Sequence, residues 1–313
     1  MAGHTIPPAD RTRLAAAGAR AVTLEALQRK GGREGVGDWL FRALLLLGLS
    51  IALVSLAAML VWAVAEGAPR MSWDLFTKGP SAVDPTKAGY RTAILGSLWI
   101  IGGVVLVIVP IGIGAAVYLE EYADGARWWN RVIELNIQNL AGVPSIVFGI
   151  LGLAFIVRGP IGVGFVAAAG SVTIALLVLP MVIIASREAI RAVPPSIREG
   201  SLALGATAWQ TNWRQVLPAA RPGILTGVIL SVARAIGEAA PLLLVGAVTF
   251  VRYDPQLFSG GYSALPVLIY NYSRRPQAEY RDLAAAGIIV MLLMVLAMNA
   301  FAVWLRSRYE EQR

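Results

Sequence analysis

The chain has 313 residues, 57% of them hydrophobic and 15% charged, with a formal net charge of +8. Soluble domains carry nearer a quarter charged residues, so this composition points to a hydrocarbon surrounding over much of the length. Without cysteine, and with His4 as the one histidine, the chain excludes disulfides, thiolate metal sites, cysteine nucleophiles and multi-histidine metal centres.

Residues 1–38 hold Arg11, Arg13, Arg20, Arg29, Lys30 and Arg33 among alanine and glycine, and are expected to form a cytoplasmic tail. No cleavable leader is expected, because the first apolar run, a transmembrane helix at 39–66, is too long for a signal h-region. An extracytoplasmic loop at 67–89 follows, then a transmembrane domain at 90–306 and a cytoplasmic end at 307–313. Six runs can cross a core of ~30 Å as helix. They lie at 40–65, 93–118, 137–157, 164–187, 223–250 and 282–305. The third and fourth are joined by a tight hairpin at Arg158-Gly159-Pro160-Ile161-Gly162-Val163. Glycines dot the second and third runs, where small side chains let helices approach closely. Ser263 to Tyr272 is apolar enough for a short re-entrant or surface helix.

Lys and Arg counts set the orientation. With the tail inside, the inner segments hold 17 of these residues and the outer loops 9, so both ends are expected in the cytoplasm. The inner loop at 119–136 runs against the trend, with Glu120, Glu121, Asp124 and Glu134 against two arginines. Acidic residues count for little in this rule. Outside, Arg252, Arg274 and Arg275 could steer an anion or grip a partner.

The inner loop at 194–218 predicts two short amphipathic helices. Pro195 or Ser196 opens the first and Gly205 ends it, and a second fits 208–217 with Pro218 as its stop. Such a knob suits a groove on a partner protein. In the fifth run, Arg234 and Glu238 interrupt an apolar stretch four residues apart, on one face of a helix. Such charges are kept where they face a cavity, or where they pair structurally, and both readings apply here.

Glu199-Gly200-Ser201, Gly205 and Val216-Leu217-Pro218 resemble the Glu-Ala-Ala…Gly…Ile-x-Leu-Pro loop of type I ABC importer permeases, with Gly and Ser replacing the two alanines. Leu119-Glu120-Glu121-Tyr122-Ala123, Asn139-Leu140-Ala141-Gly142-Val143-Pro144-Ser145-Ile146-Val147-Phe148-Gly149 and Arg234-Ala235-Ile236-Gly237-Glu238-Ala239-Ala240-Pro241-Leu242 are similar to the PstA-type permeases of phosphate-specific importers. The resemblance covers the chain from about residue 90 and omits the tail. It implies an all-α integral membrane protein of six transmembrane helices with the type I ABC importer (MetI-like) permease fold. It implies a permease for inorganic phosphate, with another oxyanion such as sulfate or molybdate as the alternative cargo. Glu199, Gly200, Ser201, Gly205, Val216, Leu217 and Pro218 would couple the chain to an ATPase, and Arg234 and Glu238 would line the substrate pathway. The implied partners are a homologous permease subunit, two ATPase subunits and an extracytoplasmic phosphate-binding protein, in the lipid of the cytoplasmic membrane and without nucleic acid. No Gly-x-x-x-x-Gly-Lys-Ser/Thr loop occurs, so no ATP hydrolysis of its own and no bound cofactor are expected; ATP and magnesium belong to the partners. An integral-membrane enzyme and a membrane scaffold are the rival classes, and no catalytic constellation favours the first.

Overall fold

The computed structural model of the chain describes residues 36–247 and 250–310, so most of the expected 1–38 tail lies outside the described residues. The chain divides into two compact units, meeting between Val61 and Trp62. The first unit holds helix α1 (Val36–Gly67) up to Val61. No proline interrupts α1, and its large apolar residues from Trp39 to Met59 are exposed, as a helix solvated by lipid requires.

The second unit is a helical domain. Helix α2 (Arg91–Tyr122) closes on a π turn from Tyr118, and α3 (Trp128–Ala141) and α4 (Ser145–Val157) follow. Then come α5 (Ala167–Arg191), α6 (Pro195–Ala203), α7 (Ala208–Gly237) and α8 (Ala240–Leu244). The chain ends on α9 (Leu265–Ser273) and α10 (Ala278–Glu310). The only extended pairing among the described residues is a single parallel bridge between Ala247 and Tyr262. Five helices are long and apolar enough to span a membrane, and six segments do so if α3 and α4 count as one.

Helices α2 and α5 form the centre, and α7 packs on α5. Ile100, Val104 and Ile108 of α2 recur every four residues and meet Ile174, Val178 and Val182 of α5 at the same interval. Each set forms one buried stripe, as the helical repeat dictates. The buried hydroxyls of Ser171, Thr173 and Ser231 donate to carbonyls four residues back, at 3.0, 2.7 and 2.9 Å, so no polar atom of theirs is stranded. A second cluster joins Tyr90, Tyr272, Tyr280, Leu265 and Leu283, and Tyr90 donates to the Leu283 carbonyl at 3.0 Å.

Three expectations are corrected. The third run is broken: α3 and α4 meet at 109° around Gly142-Val143-Pro144. The fifth run begins earlier and stops at Gly237, well short of 250. Pro241 lacks an amide hydrogen, and in a continuous helix its ring would clash with the carbonyl four residues back, that of Gly237. Pro218 does not end a helix, because α7 passes through it after a π turn at Asn212–Val216. The short apolar helix expected over Ser263 to Tyr272 forms as α9, with Leu265, Val267, Leu268 and Tyr272 fully buried.

Candidate transport site and coupling surface

Arg234 stands in the last turn of α7, and Glu238 lies just past the helix end in extended conformation, φ −78° and ψ 113°. The two charges therefore sit at the α7–α8 break and not within an unbroken helix, as the sequence had implied. They remain paired, with Arg234 Nε 3.3 Å from Glu238 Oε1. Arg234 Nη1 also donates to Met181 Sδ of α5 at 3.0 Å, a partner with no signal in the sequence. The Arg234 side chain is 43% exposed and that of Glu238 18%, so the couple lies at a surface with Arg234 the more exposed partner.

The break is supported by a second one. Helix α4, which follows the α3–α4 bend, packs on α8. A side chain at Gly149 would sit 2.8 Å from the Pro241 Cα, so only glycine permits this approach. Irregular backbone at membrane depth persists only where protein or a water-filled cavity surrounds it.

The 194–218 segment folds as the two-helix knob expected. Pro194 is extended, Pro195 opens α6, and Gly205 at φ +83° closes it. The Gly205 amide donates to Leu202 and the Ala206 amide to Ser201, the paired bonds of a Schellman close. Thr207 and Gln210 cap α7 reciprocally, at 3.2 and 2.9 Å. Ser201 shares a 2.9 Å hydrogen bond with Thr211 and so joins the two helices, a contact that alanine could not make. Glu199, Gly200 and Gly205 are exposed, as are Leu202, Leu204, Trp209 and Trp213. A cleft of about 650 Å³ runs between the helices, lined by Ser196, Gly200, Leu204, Gln210 and Arg214 among others. Val216 is buried against Ile190, Val193 and Ile224, and Leu217 packs beside it, so the end of the motif anchors the knob while its start is presented. Pro218 is partly buried at the first turn of the regular helix after the π turn.

Sequence reasoning missed the ion-pair network beside this knob. Arg187 bridges Glu120 and Glu134 at 3.3 and 2.9 Å, Arg191 grips Glu120 at 2.8 Å, and Arg198 holds Glu121 at 2.7 Å. Glu188 pairs with Arg191. The signal was present: the acids that ran against the charge bias of the 119–136 loop match the arginines of the 187–222 segment. On the opposite side, Arg275 lies between the Phe250 and Tyr280 rings and donates to the Ala82 carbonyl at 2.7 Å. Arg274 stacks on Tyr270. Both arginines thus hold local structure.

Residues 108–311 match the family described as binding-protein-dependent transport system inner membrane component. The phosphate transport system permease protein PstA of Haemophilus influenzae is 36% identical over 266 residues, covering 82% of this chain and 91% of that protein. PstA 1 of Mycobacterium tuberculosis is 35% identical over 264 residues, covering 82% and 84%. Among solved structures, a bacterial alginate ABC transporter with its alginate pentasaccharide-bound periplasmic protein aligns with a TM-score of 0.60 at 18% identity, over 85% of this chain and 93% of that one. The inward-facing MetNI methionine ABC transporter aligns with a TM-score of 0.54 at 16% identity, over 70% and 96%. Its broken membrane helices, its knob and these likenesses place the chain in the family of binding-protein-dependent transport system inner membrane components, as a multi-pass permease subunit with the type I ABC importer fold.

Proposed function

We propose that this chain is the permease subunit of an ATP-binding-cassette importer that carries inorganic phosphate across the cytoplasmic membrane. The Arg234–Glu238 couple carries the reading, because it places a cation and an acceptor together at a helix break in an apolar segment. A charge at membrane depth costs ~2.5–3.5 kcal/mol on the insertion scale, so charges there mark pathways or fixed pairs. Phosphate near neutral pH carries one or two negative charges and keeps a hydrogen. The planar guanidinium of Arg234 can take two of its oxygens, and the Glu238 carboxylate can accept its hydrogen. Sulfate has no hydrogen to offer, so a carboxylate there repels it. The names of the two bacterial relatives support the choice of phosphate.

The excess of Lys and Arg in alternate loops supports an inside location for both termini and for the 194–218 knob. The knob then meets an ATPase subunit, with Glu199, Gly200, Ser201 and Gly205 at the contact and Val216, Leu217 and Pro218 holding it to the membrane helices. ATP and magnesium are held by two such ATPases, and this chain binds no cofactor. A homologous permease completes the path, and an extracytoplasmic binding protein delivers phosphate. Uptake by the reconstituted complex tests the reading. Arg234→Ala should abolish phosphate uptake while ATPase subunits still co-purify, and Glu238→Gln should weaken the rejection of sulfate. Unchanged phosphate flux and sulfate rejection in both variants would refute it, and preferred uptake of sulfate or molybdate would reassign the cargo.

A further inference from the structure

Arg198 leaves the knob and enters the junction of two membrane helices. Its Nε and Nη2 donate to Glu121 Oε1 at 3.2 and 2.7 Å. Nη1 donates to the Val193 carbonyl at 2.7 Å and Nη2 to the Ile190 carbonyl at 2.9 Å. Glu121 belongs to the π turn that ends α2, and Ile190 and Val193 flank the C-terminal end of α5. Terminal carbonyls of a helix lack partners within it, and a cation there also meets the negative end of the helix dipole. One guanidinium thus fastens α6 to the ends of α2 and α5. Both side chains are largely buried, 24% exposed for Arg198 and 11% for Glu121. The neighbouring acids are engaged by other arginines: Glu120 by Arg187 and Arg191, and Glu134 by Arg187. A lysine, with a compact charge on a single nitrogen, cannot span the carboxylate and two carbonyls at once.

We infer that Arg198, with Glu121, is the positioning residue that carries displacement of the knob into the ends of α2 and α5, and so links ATP hydrolysis to opening of the path. Helix α7 needs no such fastening, since it runs unbroken from Ala208 in the knob to Gly237. Helix α2 has no chain connection of this kind to the knob, and α5 reaches α6 only through the non-helical residues 192–194. If α6 is drawn aside, it must either break the charge-assisted bonds of Arg198 or take both helix ends with it. The inference rests on the proposed ATP-driven import.

The test is the number of phosphate ions moved per ATP hydrolysed by the complete complex in proteoliposomes with its binding protein. Arg198→Ala and Glu121→Ala should each lower that ratio about fivefold or more, as expected for loss of a charge-assisted link. ATPase subunits should still co-purify and ATP should still be hydrolysed. The double variant should be no worse than Arg198→Ala alone, because that change already removes the bond to Glu121. The chain contains no cysteine. A Glu121→Cys/Arg198→Cys variant therefore carries just two thiols in this chain, which a bis-methanethiosulfonate spacer of side-chain length can bridge; bridging should restore the ratio until reductant removes it. If Arg198→Ala does not assemble, Arg198→Lys replaces it, with an intermediate ratio expected. A wild-type ratio in the variants, or a lost ratio that bridging does not restore, overturns the inference. Failure of the import reading shows separately, as absence of phosphate-stimulated ATP hydrolysis in the wild-type complex.

Discussion

The adjacent glycines of α2 should respond oppositely to alanine. A methyl group on Gly102 meets no atom within 4 Å, whereas on Gly103 it would lie 2.7 Å from Ser171 Cβ and 2.5 Å from its Oγ. Non-bonded carbons settle at ~3.5–4.0 Å, so α2 and α5 must part locally by about 1 Å. Ser171 cannot turn aside: its Cβ is fixed by the backbone of α5, and its hydroxyl is held by the Ala167 carbonyl at 3.0 Å. Overpacking of this kind costs ~1–3 kcal/mol, and alanine regains ~0.5–1 kcal/mol of helix preference over glycine. Gly103→Ala should thus lose about 1 kcal/mol net and at most about 2.5, while Gly102→Ala should gain about 0.5–1 kcal/mol. Thermal unfolding of the detergent-solubilised protein measures both. The Gly103→Ala/Ser171→Gly pair should be less destabilised than the sum of its single changes, because removing the opposing Cβ removes the clash. Equal unfolding temperatures for the two alanine variants, or simple additivity in the pair, would refute this account of the α2–α5 contact.

Three further outcomes follow from single contacts. Arg187, 13% exposed, bridges two acids, while Arg191 is 54% exposed. Arg187→Ala should therefore cost about 3 kcal/mol and Arg191→Ala less than about 1 kcal/mol in the same unfolding assay. The Leu265 amide donates to the buried Ser97 hydroxyl at 2.9 Å. Ser97→Ala leaves that amide unpaired at a cost of ~1–3 kcal/mol, and Ser97→Thr should restore it. In the exposed 81–87 turn, the Thr86 hydroxyl, and then its amide, hold the Asp84 carboxyl below its usual range. The carboxylate cap is therefore complete above the ordinary Asp range and is lost as pH falls through the lowered value. Thr86→Val should raise that titration, which carbon NMR of labelled aspartate can follow.

The membrane class, the number of apolar segments and the knob were legible because each rests on local pattern. The breaks were less so. Pro110, Pro180 and Pro222 all lie inside continuous helices, so proline in an apolar run does not by itself end a span. The two breaks differ in having glycine close before the proline, Gly142 before Pro144 and Gly237 before Pro241. Glycine adds backbone freedom where proline withdraws a hydrogen bond, and together they turn the chain. The four-residue interval of Arg234 and Glu238 foretold their pairing but not its setting, since an ion pair forms equally well across a helix end. Met181 was invisible because its contact depends on how α5 lies beside α7. The junction of Arg187, Arg191 and Arg198 with Glu120, Glu121 and Glu134 joins residues more than fifty positions apart. Only their opposite signs, on the 119–136 and 187–222 segments, gave it away.

Helix α7 is a 30-residue rod that starts in the knob and finishes beside Arg234 and Glu238. At 1.5 Å per residue it is about 45 Å long, so a tilt of about 5° at one end sweeps the other through about 4 Å. That is more than the diameter of a water molecule. A lever of this reach turns a modest rocking at the knob into a displacement of atomic size at the far end, with no need for the chain to refold.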